Sequence, residues 1–124
     1  MSFVTKDLGK VLLVLVLAGW MGCSPEPVSH EKGPKPFLTE QAIQHIEARH
    51  IQSDLFQEKS KFQPGVDWKA LVAESYEKSN SFFQEFDRYV YDYETGRLIG
   101  TKGQRRTRLV TKENGEVVTF YPRF

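Results

Sequence analysis

Near Phe82 the apolar period of this chain switches from 3.6 residues to two, so helices must come first and an antiparallel sheet after them. Thr39 is a good helix N-cap, and Glu40 adds favourable charge in the first turn. Thr39, Ala42, Ile43, Ile46 and His50 share one side of a helical wheel, which predicts a helix over 39–51. His50 continues the apolar stripe. His45 stands at its border, one turn from Arg49. A polar loop should follow over 52–63, closed by a strong break at Pro64-Gly65. Asp67 caps a second helix over 68–78, where Trp68, Leu71, Val72, Ser75 and Tyr76 recur at amphipathic spacing. Trp68 reads as core.

Beyond Phe82, residues 86–93 alternate bulky and charged groups around Tyr89, Tyr91 and Tyr93, which suits a strand. Glu94-Thr95-Gly96 is a turn, and 97–101 is expected as a second strand. Lys102-Gly103 is another turn, and 104–111 a third strand. Asn114-Gly115 is the strongest hairpin signal in the chain. A last strand over 116–121 is stopped by Pro122. The expected fold class is α+β, with two N-terminal helices packed on a four-stranded antiparallel β-meander. It occupies 38–124, fewer than ninety residues, enough for a modest core.

The residues in front read as delivery apparatus. Lys6 and Lys10 form a positive start, and an apolar run follows over 11–18. That is the pattern of a cleaved export signal over 1–22 and is too short for a spanning helix. Cys23 is the only cysteine, so no intramolecular disulfide can form. Residues 24–36 hold four prolines and a glycine, which predicts an extended tether over 23–37 with His30 as a solvated linker residue. Taking Lys6, Lys10 and Asp7 from the 17 basic and 16 acidic residues leaves 15 of each in the mature chain. A neutral total gives no whole-protein attraction to nucleic acid, so any such attraction must come from local clusters.

Several residues have the chemistry for cutting RNA without metal. The 2′-hydroxyl can attack the neighbouring phosphate if a base takes its proton, an acid protonates the departing oxygen, and cations hold the phosphorane. His50 and His45 suit the first two roles because imidazole titrates near neutrality. Lys61 suits the third. Arg105, Arg106 and Arg108 form a basic cluster on the third expected strand, with Arg106 and Arg108 on one face. Thr119 and Tyr121 share a face of the last. Taken singly, each also has a structural explanation: a packed helical histidine, a solvated row of arginines, a core tyrosine. His45 and His50 are five apart, whereas helical zinc ligands are four apart, and no third ligand accompanies them. No metal and no cofactor is expected.

Read together, His45-Ile46-x-x-Arg49-His50, Lys59-Ser60-Lys61-Phe62 and Val118-Thr119-Phe120-Tyr121-Pro122 resemble small bacterial toxin nucleases. These are the C-terminal ribonuclease domains of polymorphic toxins, in the superfold that groups barnase, EndoU, the tRNA-cutting colicins and RelE. The resemblance implies a general base or acid at His50, with His45 as the second choice, and Lys61 at the scissile phosphate. Thr119 and Tyr121 would line the cleft floor, and Arg105 or Arg108 would bind the RNA backbone. The segment Ala18-Gly19-Trp20-Met21-Gly22-Cys23 resembles a bacterial lipobox, with Trp20 where leucine is usual. That resemblance implies lipidation at Cys23. Ser24 after it, in place of aspartate, leans toward the outer membrane.

The expectation is therefore a lipid-anchored toxin ribonuclease of the cell envelope, acting in the cytoplasm of a target cell. Its partners would be RNA, tRNA among the candidates, a cognate immunity protein, and the membrane through Cys23. The alternative is a non-enzymatic envelope lipoprotein that binds a protein partner through its sheet.

Overall fold

The computed structural model describes residues 31–52, 56–79 and 81–124, and the segment expected to be an export signal, Cys23 and residues 24–30 lie outside them. Residues 32–124 form one compact unit of α+β class. Its elements are α1 (Glu40–Ile46), a π-helical continuation (Glu47–Ile51), α2 (Trp68–Lys78), β1 (Ser81–Glu85), β2 (Arg88–Glu94), β3 (Arg106–Lys112) and β4 (Val117–Arg123). The four strands make one antiparallel sheet in the order β1-β2-β3-β4. Among the described residues no helix is long and apolar enough to cross a membrane.

The Thr39 hydroxyl caps α1 by accepting from the Ala42 N–H at 3.1 Å. The helix then widens, and the Gln52 N–H reaches back five residues to the Glu47 carbonyl. Asp67 caps α2 through the Ala70 N–H. Ala42 and Ile46 of α1 join Trp68, Leu71 and Val72 of α2 in one core against Tyr91, Leu109 and Phe120 of the sheet. Phe62 stacks on Phe120 inside it, with ring centres 5.3 Å apart. The buried hydroxyls of Ser75 and Thr107 pair at 2.7 Å and fasten α2 to β3.

Three strand expectations are corrected. The alternating run begins at Ser81, not Phe86, and is broken into β1 and β2 by a two-residue turn at Phe86-Asp87. Phe86 takes a left-handed backbone (φ 57°), a position that usually calls for glycine or asparagine. A strand-forming aromatic at the turn thus hides it from the sequence pattern. Residues 97–101 are not a sheet strand. Their backbone pairs with the chain ahead of α2: the Gln63 N–H donates to the Ile99 carbonyl and the Thr101 N–H to the Lys61 carbonyl. Ile99 enters the core, and Arg97 reaches Glu74 on α2 at 3.3 Å. The last strand also runs on through Pro122 to Arg123, because β4 is an edge strand where a missing N–H is tolerated.

Lys32, Gly33 and Phe37, expected within the tether, make contacts with the folded unit. Lys32 donates through Nζ to the Tyr76 and Glu77 carbonyls at the C-terminus of α2, where a cation is favoured. The Gly33 N–H donates to the Tyr91 hydroxyl at 2.9 Å, and the Tyr76 hydroxyl donates to the Gly33 carbonyl at 2.7 Å. Only glycine fits there, since a Cβ would stand 2.6 Å from the Tyr89 ring. Phe37 then pairs with the last hairpin, donating to the Gly115 carbonyl and accepting from the Val117 N–H, each at 3.0 Å.

Candidate functional site

A cleft of about 380 Å³ opens where the π-helical segment and the 58–60 loop meet β4. His45, Arg49 and His50 reach it from the helical side, Glu58, Lys59 and Ser60 from the loop, and Thr119 and Tyr121 from the strand. Each element delivers its side chains for a local reason. His45 stands in the last turn of α1, and the wide π turn after it carries Arg49 and His50. The period of two in β4 puts Thr119 and Tyr121 on the same face.

His50 is buried, at 5% exposure, and its ring stacks on Tyr121 with centres 5.4 Å apart. Its Nδ1 lies 2.6 Å from the Ser60 carbonyl oxygen. A carbonyl can only accept, so Nδ1 carries the proton, and in the neutral ring Nε2 keeps its lone pair. Burial pushes the His50 pKa below 6.5. The Ser60 carbonyl pushes it back up, while His45, Lys61 and Lys59 add to the lowering. His45 is also lowered, by burial first and then by the charges of Arg49 and Lys59. The cleft thus holds a neutral imidazole of fixed tautomer, which is the state a general base needs.

The expected residues divide into three groups. His45, His50, Thr119 and Tyr121 come together in the cleft. Lys61 is not among the residues that line the cleft. Its side chain is buried at 8% exposure and donates to the Arg49 carbonyl at 2.8 Å, at the end of the π-helical segment. The lysine that faces the cleft is Lys59, two residues earlier. The arginines occupy the sheet beside the cleft. Arg105 and Arg106 are exposed and each reaches Glu94 at 3.3 Å. Arg108 lies across from Tyr121 in the β3–β4 register. It holds Asp92 in a two-pronged contact, 2.8 Å to each carboxylate oxygen, which raises the guanidinium pKa. Arg123 joins the same carboxylate at 3.2 Å. Burial works against the Asp92 charge, yet the two arginines hold its pKa below the ordinary value.

Arg49, Lys59, Arg123 and the Ser60 carbonyl were absent from the sequence-based set. Arg123 shares the alternation of Thr119 and Tyr121, a signal concealed by ending the strand at Pro122. The Lys59–Lys61 choice depends on loop direction, which no periodicity encodes. Among the described residues no three His, Cys, Asp or Glu side chains are grouped to share a metal ion.

Comparison with known protein families, with curated proteins and with solved structures finds no match to this chain.

Proposed function

We infer that this chain is a lipid-anchored toxin ribonuclease that cuts RNA by attack of the 2′-hydroxyl, without a metal. The observation that carries the reading is the His50 ring, whose Nδ1–H is engaged by the Ser60 carbonyl at the wall of a cleft that Arg49 and Lys59 also line. The layout of helices ahead of a four-stranded antiparallel meander supports it as well. His50 Nε2 takes the 2′-hydroxyl proton, and the freed oxygen bonds to phosphorus. His45, protonated as the substrate's negative charge enters, gives its proton to the departing 5′-oxygen. Lys59 and Arg49 offset the phosphorane charge, and Thr119 and Tyr121 donate to its oxygens. The products are a 2′,3′-cyclic phosphate and a 5′-hydroxyl. Arg108, Arg105 and Arg106 serve the RNA backbone. Lipid on Cys23 anchors the protein in the outer membrane or envelope, RNA is met in a target cell, and an immunity protein shields the producer.

The deciding experiment expresses the chain from Ser24 onward in a bacterial cytoplasm. Growth should stop and RNA should accumulate cyclic-phosphate ends, and His50→Ala should relieve both. Harmless accumulation with intact RNA would refute the reading.

A second reading, an envelope lipoprotein that binds a protein partner, is favoured by one observation. Arg105, Arg106, Arg108 and Arg123 are all paired with carboxylates of the same sheet. A stable complex with an envelope protein, together with no RNA cleavage, would select it.

A further inference from the structure

The sheet has a second face, which the π-helical segment meets at the β4 edge, where His50 stacks on Tyr121. Tyr91, Leu109 and Phe120 point into the core, whereas Val90, although buried, stands outside that cluster. Register lines up Phe83, Val90, Val110 and Thr119 in one row across the four strands of this outer face. The next row is Ser81, Asp92, Arg108 and Tyr121. Both rows therefore end in the cleft, at Thr119 and Tyr121. At the far end, Phe83 is 44% exposed, and the Arg108 guanidinium lies 5.8 Å from its ring centre.

We propose that this outer face is a track for single-stranded RNA, running from the cleft to a nucleobase platform at Phe83. It rests on the nuclease reading above and names the substrate class: an unpaired strand of several nucleotides. Three strand spacings separate Thr119 from Phe83, about 14 Å. An extended strand covers such a span with about two nucleotides, and a base splayed from it meets an aromatic ring on an open sheet. Between the two ends lie Val90, which is buried, and Val110, which is half-buried, so the open apolar contact on this path is Phe83 itself. Five cations stand along this face, each beside a carboxylate: Arg88 at Asp87, Lys112 at Glu116, Arg106 at Glu94, and Arg108 with Arg123 at Asp92. A phosphate backbone would compete with those carboxylates for the same guanidinium and ammonium groups. A duplex would not reach Phe83, because its bases are stacked and turned inward.

The test compares a dinucleotide with a mixed-sequence RNA pentanucleotide as substrates for the chain from Ser24 onward. Phe83→Ala should raise KM for the pentanucleotide roughly tenfold with kcat unchanged. It should leave dinucleotide cleavage untouched, and Phe83→Tyr should behave as wild type. An equal effect on both substrates, or none on either, would overturn the track. If the wild type cleaves neither, the nuclease reading fails by itself, and a labelled 2′-deoxy pentamer then decides the track by anisotropy. Binding that Phe83→Ala weakens roughly tenfold keeps it. No binding, binding indifferent to Phe83, or a protein partner covering Phe83 ends it.

Discussion

Asp92 carries two guanidinium groups at once, which makes Asp92→Asn the most informative single change in this fold. The carboxylate receives three charged hydrogen bonds, at 2.8, 2.8 and 3.2 Å. Asparagine keeps the shape and one acceptor oxygen, but leaves Arg108 and Arg123 facing each other without a counter-charge. The side chains of Asp92 and Arg108 are 22% and 26% exposed, between the buried and surface limits. Breaking a buried pair costs about 3–5 kcal/mol and an exposed one under about 1, so about 2–3 kcal/mol is expected here. For a domain of this size that lowers Tm by roughly 10–15 °C. The assay is urea unfolding of both proteins, repeated down the acid range. Because the folded Asp92 pKa is depressed below 3.8, its stabilisation is complete above that value. It fades as pH falls through the folded pKa. The wild-type advantage should fade over that same window. A second readout moves the other way: with two arginines released, the RNA affinity should rise and its salt slope steepen by about one. A stability change under about 0.5 kcal/mol, within the range of ordinary surface substitutions, would refute the reasoning.

His50→Gln should lower kcat/KM for RNA by about 100-fold or more, the usual worth of a general base. In the wild type the acid limb of kcat/KM should have its midpoint below 6.5, because burial lowers the His50 pKa and the ring must be neutral to act. The same lowering makes the unfolded chain bind more protons, so stability should decline as pH drops from 6.5 toward the folded pKa, and less so in His50→Gln. Thr111→Val should stabilise the domain by about 1 kcal/mol in urea unfolding, since its buried hydroxyl has no partner among the described residues. Gly33→Ala should destabilise it by about 1–3 kcal/mol and expose the 32–37 segment to protease, because the new methyl meets the Tyr89 ring.

Helix caps were legible because they are local: Thr39 and Asp67 each satisfy an N–H three residues on. The Asn114-Gly115 turn was equally plain, with Gly115 at φ 96°. Two of the strand differences have separate causes. Phe86 turns a corner with a residue whose propensity says strand, and Ile99 pairs with a segment far away in sequence. Propensity is overridden by a local left-handed turn at Phe86 and by a distant backbone partner at Ile99. For the cleft, His50 was readable from the helical stripe and Thr119 with Tyr121 from alternation. Lys59, Arg123 and the Ser60 carbonyl depend on where a loop and a strand end lie in space.

The contact between Phe37 and Val117 has a consequence for biosynthesis. A chain made from its N-terminus holds residues 32–37 without their docking place until the last hairpin exists. Contacts this far apart in sequence close late. Hence no truncated or half-emerged chain can present the finished pocket, and whatever the protein does begins only after its final strand is free.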